Sequence, residues 1–234
     1  MTGPRCPAPP PSRPPWLDRL TSSLERAPET AFGIRPPHSS AGRHSAVLLL
    51  FGSGPGGGED VVLTERAPTM RSHGGQIAFP GGRVDAHDQG PVAAALREAA
   101  EEIDLDPVGV EVITTLPEAY VPVSDSRVTP VLAWWPQPSP IRAHSPVEVA
   151  RVARVPLSEL IDPQNRFVVT HPNGYRGPGF EVCDLFIWGF TAKLLDAVLD
   201  LSGLDEGWDR TRTRELPARY AARRAPSLVG QARW

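Results

Sequence analysis

The chain has 234 residues, enough for one sizeable hydrophobic core together with extra segments at its ends. Its net charge of −3 argues against a general nucleic-acid binder, and it contains no apolar run near the roughly 20 residues that a membrane-spanning helix needs. Its two cysteines, Cys6 and Cys183, argue against a disulfide framework, so a reducing cytoplasm is the expected location.

The N-terminal region divides into a proline-rich lead-in and the start of a folded domain. Residues 1–15 contain seven prolines and no apolar core of the length that a secretory signal requires, so we expect a disordered segment. The domain is predicted to span residues 16–204 and to begin with an amphipathic helix. The apolar positions of that helix are Trp16, Leu17, Leu20 and Leu24.

Strand and helix patterns follow, which indicate a mixed α/β fold. Two buried strands at 46–51 and 61–64 flank a glycine-rich turn, and a last helix is predicted at about 191–202. Further strands are predicted near 109–116, 128–135, 149–155, 166–170 and 180–188.

The most informative segment is FPGGRVDAHDQGPVAAALREAAEEIDL, which runs from Phe79 to Leu105. On a helix, Glu98, Glu101 and Glu102 share one face, opposite an apolar stripe that anchors the helix. Like charges at this spacing oppose helix formation unless a positive charge lies over them, and an oxygen-rich site suits Mg²⁺ or Mn²⁺. The pattern therefore predicts a divalent-metal site, with a solvated helical face as the alternative.

Two neighbouring features support this helix. Gly90 and Pro91 predict its start, because proline is favoured at the first helical position. Arg97 lies four residues before Glu101, so it is expected to pair with that carboxylate and hold its rotamer.

The segment resembles the signature of the Nudix hydrolases: a Gly-Gly turn, an acidic residue, Arg-Glu, two spacers, Glu-Glu and a closing glycine. Gly82 matches the leading glycine, and residues 97–102 carry the arginine and the glutamates. Asp88 takes the acidic position, with one residue more before the arginine than the commonest spacing, and Asp104 replaces the closing glycine. Aspartate tolerates a left-handed conformation, so we expect the turn to survive. The resemblance implies an α/β/α sandwich with a mixed β-sheet.

The upstream stretch VLTERAPTMRSHGGQIAF, residues 62–79, is similar to the extended signature of the coenzyme A pyrophosphatase branch of this family. The extra residue ahead of Arg97 also resembles this branch. The resemblance implies hydrolysis of coenzyme A or acyl-CoA to 3′,5′-ADP and (acyl-)4′-phosphopantetheine. The matching positions are Thr64, Arg66, Arg71, His73, Gly75, Gln76 and Phe79.

These resemblances imply roles for the metal-binding and catalytic residues. Glu98 and Glu102 would be the principal metal ligands. Glu101, held by Arg97, would be a further ligand or would help to deprotonate the attacking water. In several Nudix enzymes the general base comes from a late loop, and Glu148 is the candidate here, with an exposed strand-end glutamate as the alternative.

Substrate contacts are assigned to the upstream motif and to the turn. Arg66 and Arg71 are candidates for contacts with the diphosphate or the 3′-phosphate, because guanidinium binds phosphate in a bidentate fork. A structural ion pair is the alternative for each. His73 and Gln76 are also assigned to the substrate, with a loop-stabilising role as the alternative. The turn adds two glycines that permit close backbone approach, Gly81 and Gly82.

Two further segments are candidates for the lining or the border of the substrate pocket. Trp134 and Trp135 must point to opposite faces of a strand, so burial of one ring in the core leaves the other for an adenine or pantetheine face. The loop at 136–146 is expected to border the substrate pocket.

The predicted tail at 205–234 is rich in arginine. From Asp209 to Trp234, seven arginines against two acidic residues give a net charge of +5. A solvated or partly disordered end is one interpretation, and contact with nucleic acid, an acidic partner or the enzyme's own acidic face is the other. Only one of the 24 basic residues, Lys193, is lysine, which is typical of a GC-rich bacterial genome and weakens arguments from arginine count.

Two other functions are compatible with the sequence. The first keeps the fold and the metal but acts on ADP-ribose, a dinucleotide such as NADH, or a modified nucleoside triphosphate. The second is a Nudix-fold binding module without turnover. Such modules usually lose the carboxylates, whereas this chain keeps them all. The expected partner is a small molecule, and a homodimer is compatible with the sequence.

Overall fold

The structure is a computed structural model that describes residues 12–27, 32, 43–70, 73–122 and 124–221. Most of the predicted lead-in therefore lies outside the described residues, as does the candidate substrate contact Arg71. The helices are α1 (Pro15–Leu24), α2 (Pro91–Ile103), α3 (Leu157–Ile161), α4 (Gly189–Leu201) and α5 (Ala218–Ala221).

The strands form two sheets. The first contains β1 (Arg43–Ser53), β2 (Glu59–Arg66), β3 (Ile77–Ala78), β4 (Gly81–Arg83), β5 (Glu111–Thr115), β6 (Ala119–Val121), β7 (Ser126–Trp135) and β8 (Val149–Pro156). The second contains β9 (Arg166–Thr170), β10 (Arg176–Val182), β11 (Leu185–Ile187) and β12 (Thr213–Glu215).

The first sheet is mixed because its central pair, β1 and β7, is parallel while the other pairs are antiparallel. Both faces are covered, as the continuous apolar run in β1 requires. Helix α2 covers one face, where it packs on Leu48 and Leu50, and helices α1 and α4 cover the other, where Leu49 and Phe51 point. The predicted α/β sandwich with a mixed sheet is confirmed.

The pairing of β4 with β1 fixes the position of the glycine turn. Gly82 lies opposite Ala46 and Gly81 lies opposite Val47 in the antiparallel register. Because α2 packs over both strands, the turn is placed directly beneath the carboxylate face of the helix.

Two predictions about strands are corrected. The segment at 180–188 is not one strand but the hairpin of β10 and β11, because Cys183 and Asp184 both adopt left-handed backbone conformations, with φ of 49° and 62°. The second concerns the tryptophans. Trp134 and Trp135 do point to opposite faces, but both are buried, at 2% and 1% exposure, since each face of the sheet carries a packed layer.

The described part of the predicted tail is ordered structure on the second sheet. Strand β12 pairs in parallel with β9, and α5 follows it. Across the described residues, no helix is both long and apolar enough to cross a membrane.

Candidate active site

Helix α2 begins and ends as its sequence predicts. Gly90 precedes it with φ of 102°, and Pro91 takes the first position. Asp104 ends it in the left-handed conformation, with φ of 60°, and donates its N–H to the Ala100 carbonyl at 3.1 Å. The aspartate that replaces the usual glycine is therefore accommodated, as expected.

The C-terminal end of α2 is hydrogen-bonded to the loop at 136–146. Arg142 donates its backbone N–H to the Ile103 carbonyl at 3.0 Å, and His144 donates to the Glu102 carbonyl at 2.9 Å. The Arg142 guanidinium also pairs with Asp104 at 2.9 Å. These bonds fix the path by which the chain reaches Glu148, just beyond the loop.

Glu102 is the buried carboxylate of the cluster, with 6% of its surface exposed. Its Oε2 atom accepts a hydrogen bond from the Gly81 backbone N–H at 3.0 Å. The pKa of Glu102 is raised to about 7, mainly by burial and to a smaller extent by the nearby charges of Glu98 and Glu148, while the Gly81 hydrogen bond and the Arg66 charge lower it. The site thus holds negative charge that lacks sufficient compensation.

Glu98 lies over the second glycine of the turn. A Cβ atom on Gly82 would lie only 2.4 Å from the Glu98 carboxyl carbon, so the carboxylate occupies the space that a side chain would need. Burial raises the pKa of Glu98 above its ordinary value, although the Arg97 charge opposes this shift. Gly81 and Gly82 therefore let two carboxylates approach the backbone of one turn.

Arg97 is the hub of the cluster, and its main partner is Asp88. Two parallel bonds join them, from Nε to Oδ1 and from Nη2 to Oδ2, each 3.0 Å long. This fork lowers the pKa of Asp88 to about 2. The predicted pair with Glu101 is also present at 3.2 Å, and Arg97 contacts Glu98 at 3.0 Å. Arg97 thus ties the loop before α2 to the helix face.

Glu101 lies at the edge of this arrangement. Its side chain is 61% exposed and is held by Arg97. In the part of the chain that the structure describes, no three carboxylate, histidine or cysteine side chains already converge as a metal cluster. The Nη1 atom of Arg97 contacts both Glu98, at 3.0 Å, and Glu101, at 3.2 Å.

Arg66 brings the upstream motif to the carboxylates. It ends β2 between β3 and β8, where its N–H donates to the Gln76 carbonyl at 3.0 Å. Its guanidinium is close enough to Glu102 to lower the pKa of that carboxyl. The Nε atom is buried and makes no hydrogen bond to any described residue. Arg66 therefore combines a guanidinium near Glu102 with an Nε donor that is unused among the described residues.

The loop at 73–76 is stabilised by its own polar contacts. His73 Nδ1 and Gln76 Oε1 are 3.0 Å apart, so Nδ1 carries the proton and donates. His73 has φ of 57°, and Gly75, with φ of 75°, donates its N–H to the Arg66 carbonyl at 2.8 Å. The structure thus brings His73 and Gln76 together beside Arg66.

Glu148, which directly precedes β8, lies in the same neighbourhood. Its carbonyl accepts the Ala67 N–H at 2.7 Å, next to Arg66, and its charge contributes to the raised pKa of Glu102. The side chain is exposed. The late-loop carboxylate thus lies near enough to Glu102 for its charge to act on that residue.

Comparison with known proteins identifies the family to which the chain belongs. The model of the NUDIX domain matches residues 42–175, which span the glycine turn, α2 and the strands around them. The chain belongs to the Nudix family.

The similar Nudix proteins include named relatives and a solved structure. The protein named "Uncharacterized Nudix hydrolase NudL" of Cronobacter sakazakii is 38% identical over 189 residues, which cover 76% of this chain and 91% of the relative. The protein of the same name from Salmonella paratyphi B is 41% identical over 160 residues, covering 65% and 79%. The crystal structure of the M. smegmatis Nudix hydrolase RenU is 26% identical, with a TM-score of 0.51, covering 73% and 92%.

Nudix hydrolases generally use divalent metal ions, and the donor set of this chain fits one. Glu98 and Glu102 would supply hard oxygen ligands, and both have raised pKa values because burial disfavours their charged forms. A divalent cation would supply the positive charge that the buried pair lacks.

The raised pKa of Glu102 predicts a pH effect on the metal-free protein. A carboxyl whose pKa rises from 4.5 to about 7 on folding stabilises the fold below pH 4.5 and loses that contribution as the pH rises through 7. Glu102→Gln lacks this titration. In EDTA, raising the pH from 4.5 to 8 should therefore lower the free energy of unfolding of the wild type by about 3 kcal/mol relative to that of the variant. Urea denaturation at the two pH values measures the change, and a difference that does not vary with pH would contradict the burial argument.

Proposed function

We propose that this Nudix hydrolase cleaves the diphosphate bond of coenzyme A or acyl-CoA with Mg²⁺ or Mn²⁺, giving 3′,5′-ADP and (acyl-)4′-phosphopantetheine. The observation that carries the proposal is the position of Arg66. This residue belongs to the motif that resembles the coenzyme A pyrophosphatase branch, and its guanidinium lies beside Glu102 of the carboxylate helix. One site thus combines the branch-specific motif with the general Nudix chemistry.

Two carboxylates would hold the metal. Glu98 and Glu102 lie over the glycine turn, and Glu101 is the candidate for a further ligand from the same helix face. A bound divalent cation would neutralise phosphoryl oxygens and lower the pKa of a bound water. Arg97 would position the carboxylates. Its two hydrogen bonds to Asp88 fix its guanidinium, which in turn contacts Glu98 and Glu101.

The groups beside the carboxylates would bind the substrate. The Arg66 guanidinium lies near Glu102 and is a candidate contact for the diphosphate, because guanidinium binds phosphate oxygens in a bidentate fork. The contact between His73 and Gln76 leaves the histidine Nε2 and the glutamine amide group for a ligand. Arg71, in the same motif, is proposed as a second phosphate contact. The backbone of Gly81 and Gly82 would line the turn on the substrate side.

Two carboxylates are candidates for the base that would deprotonate an attacking water. Glu101 is exposed and held by Arg97, and Glu148 is exposed, directly precedes β8 and lies near enough to raise the pKa of Glu102. A general base must lie within hydrogen-bond reach of the water or act through one further water. Both therefore stay candidates for that role. The cytoplasmic location and the homodimer stay predictions.

The proposal is tested by incubating the protein with Mg²⁺ or Mn²⁺ and a panel of coenzyme A, acetyl-CoA, ADP-ribose, NADH and 8-oxo-dGTP. Products are identified by mass. We expect coenzyme A or its thioester to be hydrolysed with the highest kcat/KM. Turnover of ADP-ribose without turnover of either CoA species would contradict the branch assignment. No turnover of any compound would favour a binding module.

A further inference from the structure

The C-terminal segment of the described chain packs against the second sheet and returns towards the active site. After β12, Leu216 donates its N–H to the Thr170 carbonyl at 2.9 Å, which extends the pairing of this segment with β9. Helix α5 then places Tyr220 in a buried position, with 9% of its surface exposed. A segment far from the Nudix motif in sequence thus contributes a large aromatic ring.

Tyr220 is held by other aromatic side chains. Its ring stacks on Phe186 at a centroid distance of 6.0 Å and an interplanar angle of 24°. It also contacts Trp188 at 6.1 Å and 45°. Both partners lie at or beside β11, which packs against β3 of the first sheet. The ring is therefore fixed to the scaffold rather than carried on a free end.

The other side of Tyr220 faces the loop at 73–76. Its Cε1 atom lies 4.0 Å from the position that a Cβ atom on Gly75 would occupy, so the ring stands opposite the open side of this glycine. On its inner side, Gly75 donates its N–H to the Arg66 carbonyl at 2.8 Å. The loop is thus enclosed between the aromatic ring and the strand that carries Arg66.

We propose that Tyr220 is a positioning residue for substrate binding, because its ring holds the 73–76 loop against Arg66. The loop has φ values of 57° at His73 and 75° at Gly75, and Gly75 has no side chain with which to anchor itself. Without the ring, the loop must be ordered when the substrate binds, and that ordering lowers affinity. The inference rests on the proposed function, since it assigns a support to the residues that would contact the substrate.

Three substitutions of one residue and one control test the proposal. Y220A removes the ring, Y220L keeps apolar bulk without an aromatic surface, and Y220F keeps the ring without the hydroxyl group. R219A is the matched control on the same helix, because Arg219 is exposed and its guanidinium lies over the Tyr220 ring at 4.8 Å from the centroid. The milder Y220L carries the test if Y220A does not fold.

The first measurement is amide hydrogen exchange of Gly75 and Gln76, whose N–H groups bond to the Arg66 and His73 carbonyls. Exchange should be about three- to ten-fold faster in Y220A and Y220L than in the wild type, and unchanged in Y220F and R219A. This measurement needs neither substrate nor metal. It therefore tests the loop support even if coenzyme A is not the substrate.

The second measurement is steady-state kinetics with whichever diphosphate compound the wild type hydrolyses. We expect KM to rise about three- to ten-fold in Y220A and Y220L, with kcat within about two-fold and an unchanged Mg²⁺ dependence. Wild-type exchange and KM in Y220A would overturn the proposal. So would a Y220F variant as impaired as Y220A, because the hydroxyl and not the ring would then be responsible. Failure of the wild type to hydrolyse coenzyme A would instead contradict the proposed function alone.

Discussion

Glu102→Gln is expected to lower kcat about a thousand-fold while leaving the fold intact. The substitution keeps the shape of the side chain and an oxygen that can accept the Gly81 N–H, but it removes the charge from the most buried carboxylate of the site. A divalent ion at a phosphoryl centre contributes several kcal/mol of transition-state stabilisation, and each tenfold loss of rate corresponds to about 1.4 kcal/mol.

The matched control is Glu206→Gln, at an exposed position outside the Nudix domain match. Its kcat should equal that of the wild type. Mg²⁺ should raise the melting temperature of the wild type and of this control, and it should raise that of Glu102→Gln less, because a ligand stabilises the fold according to its affinity. Wild-type kcat in the Glu102 variant would show that the carboxylate is not a metal ligand.

Replacing each glycine of the turn by alanine is expected to impair a different property. The Gly81 substitution should lower stability, and the Gly82 substitution should lower activity. In G81A, the new Cβ would lie 2.3 Å from the Ala46 backbone oxygen at a residue with φ of 150°. The central strand cannot move aside, so the free energy of unfolding should fall by about 3 kcal/mol or more.

In G82A, the new Cβ meets the end of a flexible side chain, the Glu98 carboxylate. Glu98 can rotate away with little loss of stability, but it then leaves the proposed metal site. We expect kcat to fall at least about ten-fold while the urea midpoint stays near that of the wild type. The pair is its own control, because each substitution adds one methyl group to the same turn. A G82A enzyme with full activity would contradict the placement of Glu98 over the turn.

The carboxylate helix could be predicted from sequence because its determinants are local. Pro91 sets its start, the apolar stripe sets the buried face, and the aspartate at its end tolerates a left-handed backbone. The pairing of Arg97 with Glu101, four residues later, could be predicted for the same reason. The two hydrogen bonds from Arg97 to Asp88 could not be predicted, because they depend on the path of the loop between the turn and the helix, which periodicity does not encode.

The predictions that were wrong concern features that the periodic pattern likewise does not encode. The hairpin of β10 and β11 turns at Cys183 and Asp184, and a single aspartate without a neighbouring glycine or proline is a weak turn signal, so the segment resembles one strand. Burial of both tryptophans depends on layers supplied by distant helices. The proximity of Tyr220 to Gly75 brings together residues that are far apart in sequence, and no local pattern could have indicated it.

The most direct test of the account is the mass of the products formed from coenzyme A by the wild type and by Glu102→Gln, side by side in Mg²⁺. The account predicts 3′,5′-ADP and 4′-phosphopantetheine from the wild type and only traces of either from the variant. Intact coenzyme A in the wild-type reaction, under conditions where ADP-ribose is hydrolysed, would contradict it.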